Sequence, residues 1–222
     1  MEALISVIIP CCNGANYLHE AVASVLDQNV PVEIIVIDDG STDKTAAVAQ
    51  ELSCVVRSIT HSGLSAARNA GLQQAHGAYI LFLDHDDVIR DAAVQRLLAA
   101  FEQDGAPQIV MAQAVDFISP ELDEADKKVL APRPEPYYGL LSGAVLIRKD
   151  VFSMMDAFTE NLATGQTMDF FIRAENAGAR VAKCDFIAVN RRLHNNNMGR
   201  TMQKQENTDY ASILRMKLRR KE

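Results

Sequence analysis

The sequence predicts a single α/β domain, with a mostly parallel central sheet flanked by helices, and three observations carry that expectation. Apolar runs of strand length alternate with segments of helical periodicity along most of the chain. Such alternation favours a parallel sheet covered on both faces. The 222 residues suffice for one substantial core, and no linker composition divides them.

Residues 4–10 and 32–37 are β-rich runs separated by 17–28, where Leu18, Val22, Val25 and Leu26 share one helical face. Ser41-Thr42-Asp43 supplies cap chemistry for a helix through Leu52, and residues 54–59 form a weaker third strand. An alanine-rich helix over 64–75 leads to a strand over 78–83. A helix over 91–103 then points Val94, Leu97, Leu98 and Phe101 inward and stops at Gly105. Residues 109–114 read as a strand. Between 119 and 137 the acids cluster around Pro120, Pro132, Pro134 and Pro136, a long loop or flap of the kind that covers a site or touches a second substrate. Order resumes at 141–147. Residues 167–177 form a helix stopped by Gly178, 181–184 and 187–189 are short strands, and 203–222 is a final helix.

A net charge of −7 argues against a broad nucleic-acid surface but leaves room for a local cationic pocket. Four cysteines, with Cys11 and Cys12 adjacent, make neither a disulfide framework nor a zinc spacing, so a reducing cytoplasm is the natural setting. No basic segment precedes the first apolar run, and no run approaches the roughly 20 apolar residues of a membrane span. The expectation is a soluble or peripheral chain. The basic residues Arg215, Lys217, Arg219, Arg220 and Lys221 make either a solvated helix end or a contact with an anionic membrane face, worth about 1 kcal/mol per cation.

Open parallel sheets bind ligands beyond the carboxyl ends of their strands. Here three polar loops follow predicted strands: Pro10-Cys11-Cys12-Asn13-Gly14, Asp38-Asp39-Gly40-Ser41 and Asp84-His85-Asp86-Asp87. Oxygen ligands at such a place suit Mg²⁺ or Mn²⁺ shared with a substrate's phosphates. The competing reading makes Asp84 a strand end, Asp87 or Asp91 a helix cap, and Asp38-Asp39-Gly40-Ser41 a turn. Arg68, among small residues, is either a cation for a diphosphate or nucleotide or an ordinary surface arginine. Neither Gly-x-Gly-x-x-Gly nor Gly-x-x-x-x-Gly-Lys-Ser/Thr occurs, so a metal would have to carry the phosphate charge.

Four blocks in order then resemble the family 2 glycosyltransferases of the GT-A fold. They are Ser6-Val7-Ile8-Ile9-Pro10 with Asn13 and Tyr17, Val36-Ile37-Asp38-Asp39-Gly40-Ser41-Thr42-Asp43, Gly63-Leu64-Ser65-Ala66-Ala67-Arg68-Asn69-Ala70-Gly71, and Phe82-Leu83-Asp84-His85-Asp86-Asp87. The resemblance, dense over about 4–90 and looser over about 140–200, implies a Rossmann-like GT-A domain over 1–200 with a nucleotide-sugar-binding half (1–112) and an acceptor-side half (113–200); it does not cover the 119–137 flap or the basic tail over 201–222. It also implies an inverting enzyme. The donor would be a nucleotide diphosphate sugar and the acceptor a glycan, lipid-linked or other hydroxyl, as in cell-surface polysaccharide synthesis at the cytoplasmic side. By position, Pro10 and Asp39 border the base, Asp39 accepts its ring N–H, and Asn13 and Tyr17 join the binding set. Arg68 lies near base and phosphates, Asp84 against ribose or sugar, and Asp86 is the leading metal ligand. Asp169, in Gly165-Gln166-Thr167-Met168-Asp169, matches the general base, although Met168 stands where a glutamate is usual. Alone, Asp169 is a first-turn acid facing a helix dipole. His194, in Arg191-Arg192-Leu193-His194, would complete the metal site or bond the diphosphate.

Two rivals come from other classes. A sugar-nucleotide pyrophosphorylase would need a basic, glycine-rich loop, and residues 10–17 hold no lysine or arginine. A non-catalytic nucleotide-sugar-binding module is suggested by Met168 and the short length.

Overall fold

The apolar runs form strands that bury side chains on both faces. In β1 (Ile5–Cys11) Ile5, Val7, Ile9 and Cys11 join one core while Ile8 joins a second. The same split places Ile34 and Val36 of β2 (Val32–Asp39) opposite Ile35 and Ile37. In β4 (Tyr79–Phe82), Leu81 opposes Ile80 and Phe82. That alternation, with both sets apolar, is why helices must cover both sides. The computed structural model describes residues 4–52, 54–102, 105–139, 143–162 and 164–197.

On one face lie α1 (Leu18–Leu26), α2 (Thr45–Glu51) and α4 (Ala93–Ala99), whose buried Val22, Val25, Ala49, Val94 and Leu97 share the first core. On the other lie α3 (Leu64–Gln74) and α7 (Gln166–Asn176), which bring Ala67, Ala70, Phe170 and Phe171 into the second. The remaining elements are β3 (Val55–Ile59), β5 (Val88–Ile89), β6 (Ile109–Ile118), α5 (Glu124–Val129), β7 (Tyr137–Tyr138), β8 (Val145–Arg148), α6 (Val151–Met154) and β9 (Val181–Leu193). The sheet runs β3-β2-β1-β4-β8-β6-β9-β5, with β7 paired to β6. β3, β2, β1 and β4 are mutually parallel, whereas β8 is antiparallel to both its neighbours, β4 and β6. β9 runs parallel to β6, and β5 and β7 run against their partners. The expected α/β architecture is therefore present, with its unbroken parallel part in the first half.

Several elements differ from the sequence expectation. The two short strands over 181–184 and 187–189 are one strand, whose alternation is broken because the register passes from Met111 opposite Lys183 to Gln113 opposite Ile187. The segment 119–137 is not all loop: Asp123 caps α5 by accepting the Asp126 N–H, and Tyr137 enters β7. Neither Asp87 nor Asp91 caps α4, whose N-cap is Ala92 at φ 56°. Arg68 is no surface arginine, being 3% exposed. The helix expected over 203–222 lies outside the described residues. No helix among the described residues is long and apolar enough to cross a membrane.

Candidate active site

A cleft of about 340 Å³ opens where β1, β2 and β4 end, within the size range of small-molecule sites. Pro10, Asp39, Asp84, Asp86 and His194, all expected in the site, line it together with Cys12, His61, His85, Arg191 and Asn197. Asn13, Tyr17, Arg68 and Asp169 are not among its lining residues.

The first wall is built by two laced loops. Asn13, at φ 54°, donates its backbone N–H to Ser41 Oγ (2.9 Å), and its Oδ1 accepts the Thr42 N–H (2.8 Å). Asn13 thus locks the loop after β1 to the loop after β2. Buried Asp39 accepts the backbone N–H groups of Ser62 (2.7 Å) and Gly63 (2.9 Å), which fixes the entry to α3. His61 Nδ1 lies 3.1 Å from Asp39 Oδ2 and 3.8 Å from Cys12 Sγ. Burial pushes the Cys11 thiol up to about 12, so that side chain is packing material. A Cβ on Gly14 would stand 2.2 Å from the His85 ring and 2.5 Å from Cys11 Sγ, so a larger residue there would displace those side chains.

The second wall is acidic. Asp84 faces the cleft and pairs from behind with Arg68 at 3.5 Å. The Arg68 guanidinium carbon lies 5.6 and 5.2 Å from the Phe82 and Phe158 ring centroids, and its Nη1 donates to Thr167 Oγ1 (3.1 Å). Asp86 Oδ2 meets His194 Nε2 at 2.8 Å and Asn197 Nδ2 at 3.2 Å. Burial raises its carboxyl, but the His194 hydrogen bond and the nearby His85 and His194 outweigh that and leave it below the usual range. The Asn196 N–H points at His194 Nδ1 (3.3 Å), which favours the proton on Nε2, facing Asp86. Asp87 is fully inside. It accepts the Arg192 N–H at 2.9 Å, and burial, then Asp86 and Asp84, push its carboxyl well above the usual range.

Tyr17 stands beside the cleft, with its ring 4.9 Å from His194 and its hydroxyl donating to Glu121 at the start of the 119–137 segment. The far end of that segment is pinned by Asp116, which accepts the Tyr137 O–H (2.6 Å) and the Arg133 N–H (3.0 Å) and lies 3.5 Å from Arg191. Asp169, in the first turn of α7, accepts from Thr159 Oγ1 (2.8 Å) and Arg173 Nε (2.9 Å), both at Oδ2. Cys12 and His61 were not singled out by sequence reasoning for the site, and Arg192 entered it only as part of Arg191-Arg192-Leu193-His194. Cys12 was legible only as a neighbour of Pro10.

This is an open α/β sheet with a ligand-sized cleft beyond the carboxyl ends of its parallel strands. The glycosyl transferase family 2 model matches residues 6–158, and the chain belongs to that family. An uncharacterised glycosyltransferase of Haemophilus influenzae is 39% identical over 102 residues, covering 43% of this chain and 41% of that protein. The minor teichoic acid biosynthesis protein GgaB of Bacillus subtilis is 28% identical over 178 residues, 72% of this chain but 20% of GgaB. The chain thus spans less than half the length of these relatives. Among solved structures, the Pyrobaculum calidifontis mannosyltransferase PcManGT in complex with GDP-Man and Mn²⁺ superposes with a TM-score of 0.70 at 14% identity, over 97% of this chain and 65% of that one.

Proposed function

We propose that the protein is a metal-dependent, inverting glycosyltransferase that moves a sugar from a nucleotide diphosphate sugar to an acceptor hydroxyl in cell-surface polysaccharide synthesis. The observation that carries this reading is one cleft in which Asp39 and Pro10 face Asp84 and the Asp86–His194 pair. Residues 1–112 supply most of the donor side, and 113–200, with the 119–137 flap, the acceptor side. The relative GgaB, a teichoic acid biosynthesis protein, supports a polysaccharide acceptor.

Asp39 retains acceptor capacity beyond its two backbone partners, since a carboxylate offers about four lone-pair sites, and takes the ring N–H of the base beside Pro10. Asn13 and Tyr17 shape the donor pocket from behind its lining. Asp84, oriented by Arg68, receives ribose or sugar hydroxyls. Asp86 and His194 would offer Mn²⁺ or Mg²⁺ one carboxylate and one imidazole; among the described residues no group of three such ligands occurs, so phosphates and water would complete the shell. Bound there, a divalent cation supplies positive charge against the departing nucleoside diphosphate. Its binding by His194 requires the proton to leave Nε2.

Asp169 takes the proton of the acceptor hydroxyl. The acceptor oxygen then bonds to the anomeric carbon as its bond to the diphosphate breaks on the opposite side, which inverts the centre. Support comes from α7, where Thr167 is bonded to Arg68 and so to Asp84. Arg173 pairs with Asp169 at 2.9 Å and fixes the orientation of its carboxylate. Its polar contacts fall on Oδ2, so we assign the proton to Oδ1.

A thermal-shift screen of nucleotide diphosphate sugars with and without Mn²⁺ tests the donor site. A ligand at 100 times its Kd stabilises by about 2.7 kcal/mol. The matching donor raises the midpoint more with Mn²⁺ than without, and Asp86→Asn abolishes that difference. The reading is overturned if no donor raises the midpoint under either condition and none is consumed. Binding without consumption would identify a non-catalytic binding module.

A further inference from the structure

We infer that Arg192 is a positioning residue that sets the acidic loop after β4 and ties it to the root of the 119–137 segment; this rests on the donor-site reading above. Arg192 is 2% exposed, and its guanidinium is answered by groups from separate elements. Nε donates to the Asp86 carbonyl (2.9 Å), Nη1 to Ser119 Oγ (3.1 Å) and Nη2 to Glu20 of α1. The Tyr17 and Phe117 rings lie 4.9 and 4.6 Å from its central carbon, and its backbone N–H holds Asp87 Oδ1.

A buried guanidinium is tolerated only where its donors find acceptors, so its plane dictates where each acceptor sits. The Asp86 carbonyl is one of them. Fixing it sets the backbone from which the Asp86 carboxylate reaches His194 and Asn197, and those two residues follow Arg192 at the end of β9. Arg192 therefore joins both sides of the Asp86–His194 pair. Through Ser119, which also donates to Glu121, the same side chain reaches the segment that Tyr17 holds. Lysine offers no planar fork and cannot serve these acceptors together.

The test is Mn²⁺ retention in the presence of UDP or GDP, read from the free Mn²⁺ paramagnetic resonance signal, for wild type, Arg192→Lys and Glu20→Gln. Removing a partner that orients a metal ligand typically weakens metal affinity by about 10- to 100-fold. Arg192→Lys should fall at the lower end of that range, with donor turnover recovering at saturating Mn²⁺, and Glu20→Gln should show a smaller weakening in the same direction. Amide exchange at 119–123 should slow in wild type when Mn²⁺ and nucleotide are added, and slow less in Arg192→Lys. Equal Mn²⁺ retention by wild type and both variants overturns the inference while the donor site stands. Wild type that retains no Mn²⁺ with either nucleotide overturns the metal-dependent reading itself, and this inference with it. If Arg192→Lys does not fold, Glu20→Gln decides, because that side chain is 58% exposed and its change spares the core.

Discussion

Asp169 is held at one oxygen by Thr159 and Arg173, so replacing it perturbs packing and chemistry together. Two variants separate them. Asp169→Asn should lower transfer by about 10²- to 10⁴-fold with donor affinity retained. Arg173→Gln should cost about 1–3 kcal/mol of stability, since Arg173 also donates to the Asp156 and Ala157 carbonyls, while most transfer survives. If steady-state rates show Asp169→Asn turning over like wild type, the carboxylate is a loop anchor only. Pro10, Asp39, Asp84 and Asp86 were legible because strand ends can be read from apolar runs, and ligands in such sheets gather at those ends. The burial of Arg68 was not legible. It depends on Phe158, 90 residues away in sequence, coming to lie against its guanidinium. His61 escaped notice for a similar reason, since only the folded loop turns its ring toward Cys12 and Asp39.

The α3 helix shows how an element is seated by one small residue. A Cβ on Gly71 would stand 2.3 Å from Ile8 Cγ2, so the helix reaches β1 only because that position has no side chain. Gly71→Ala should lower stability by about 1–3 kcal/mol through overpacking, seen as a lower urea midpoint, and an unchanged midpoint would mean that α3 shifts freely. Because α3 carries Arg68, the same change should loosen Asp84 and weaken donor binding. Helices α1 to α4 and α7 and strands β1 to β4 were placed within a few residues by periodicity, whereas α5 and the single turn of α6 were not. The short elements β5 and β7 were invisible, because two residues make no pattern and their pairing is set by distant partners. β9 was divided because the residues opposite Met111 to Gln113 depart from strict alternation. Gly143, at φ 80°, lies just ahead of the observed start of β8, within the run over 141–147 where the sequence has order resuming.

Across the whole molecule, acid stability should depend on Glu33, at the end of the sheet away from the cleft. Burial raises its carboxyl, but donors from Ser6, His76 and Gly77 prevail and hold it below the usual range. At acid pH the unfolded chain therefore binds more protons at this site than the native one. The stabilisation is complete above the unfolded value, about 4.3 for a glutamate, and is lost as pH falls through the lower native value. Urea midpoints between pH 7 and pH 3 should fall more steeply for wild type than for Glu33→Gln; parallel curves would remove Glu33 from the account.

The position of β9 at the end of the described chain bears on synthesis. The parallel β3-β2-β1-β4 block is complete by Phe82, and its acids Asp39, Asp84, Asp86 and Asp87 leave the ribosome long before His194, Asn197 and Arg192. Until β8 arrives, the nascent block presents β4 as an open edge, and such edges invite pairing with other chains. Until β9 arrives, the acidic loop lacks the Arg192 N–H and the His194 imidazole that hold Asp87 and Asp86. A ribosome-bound chain ending before β9 would thus carry the walls of the cleft without the Asp86–His194 pair, and the proposed site would be assembled only once β9 and the residues just after it had emerged.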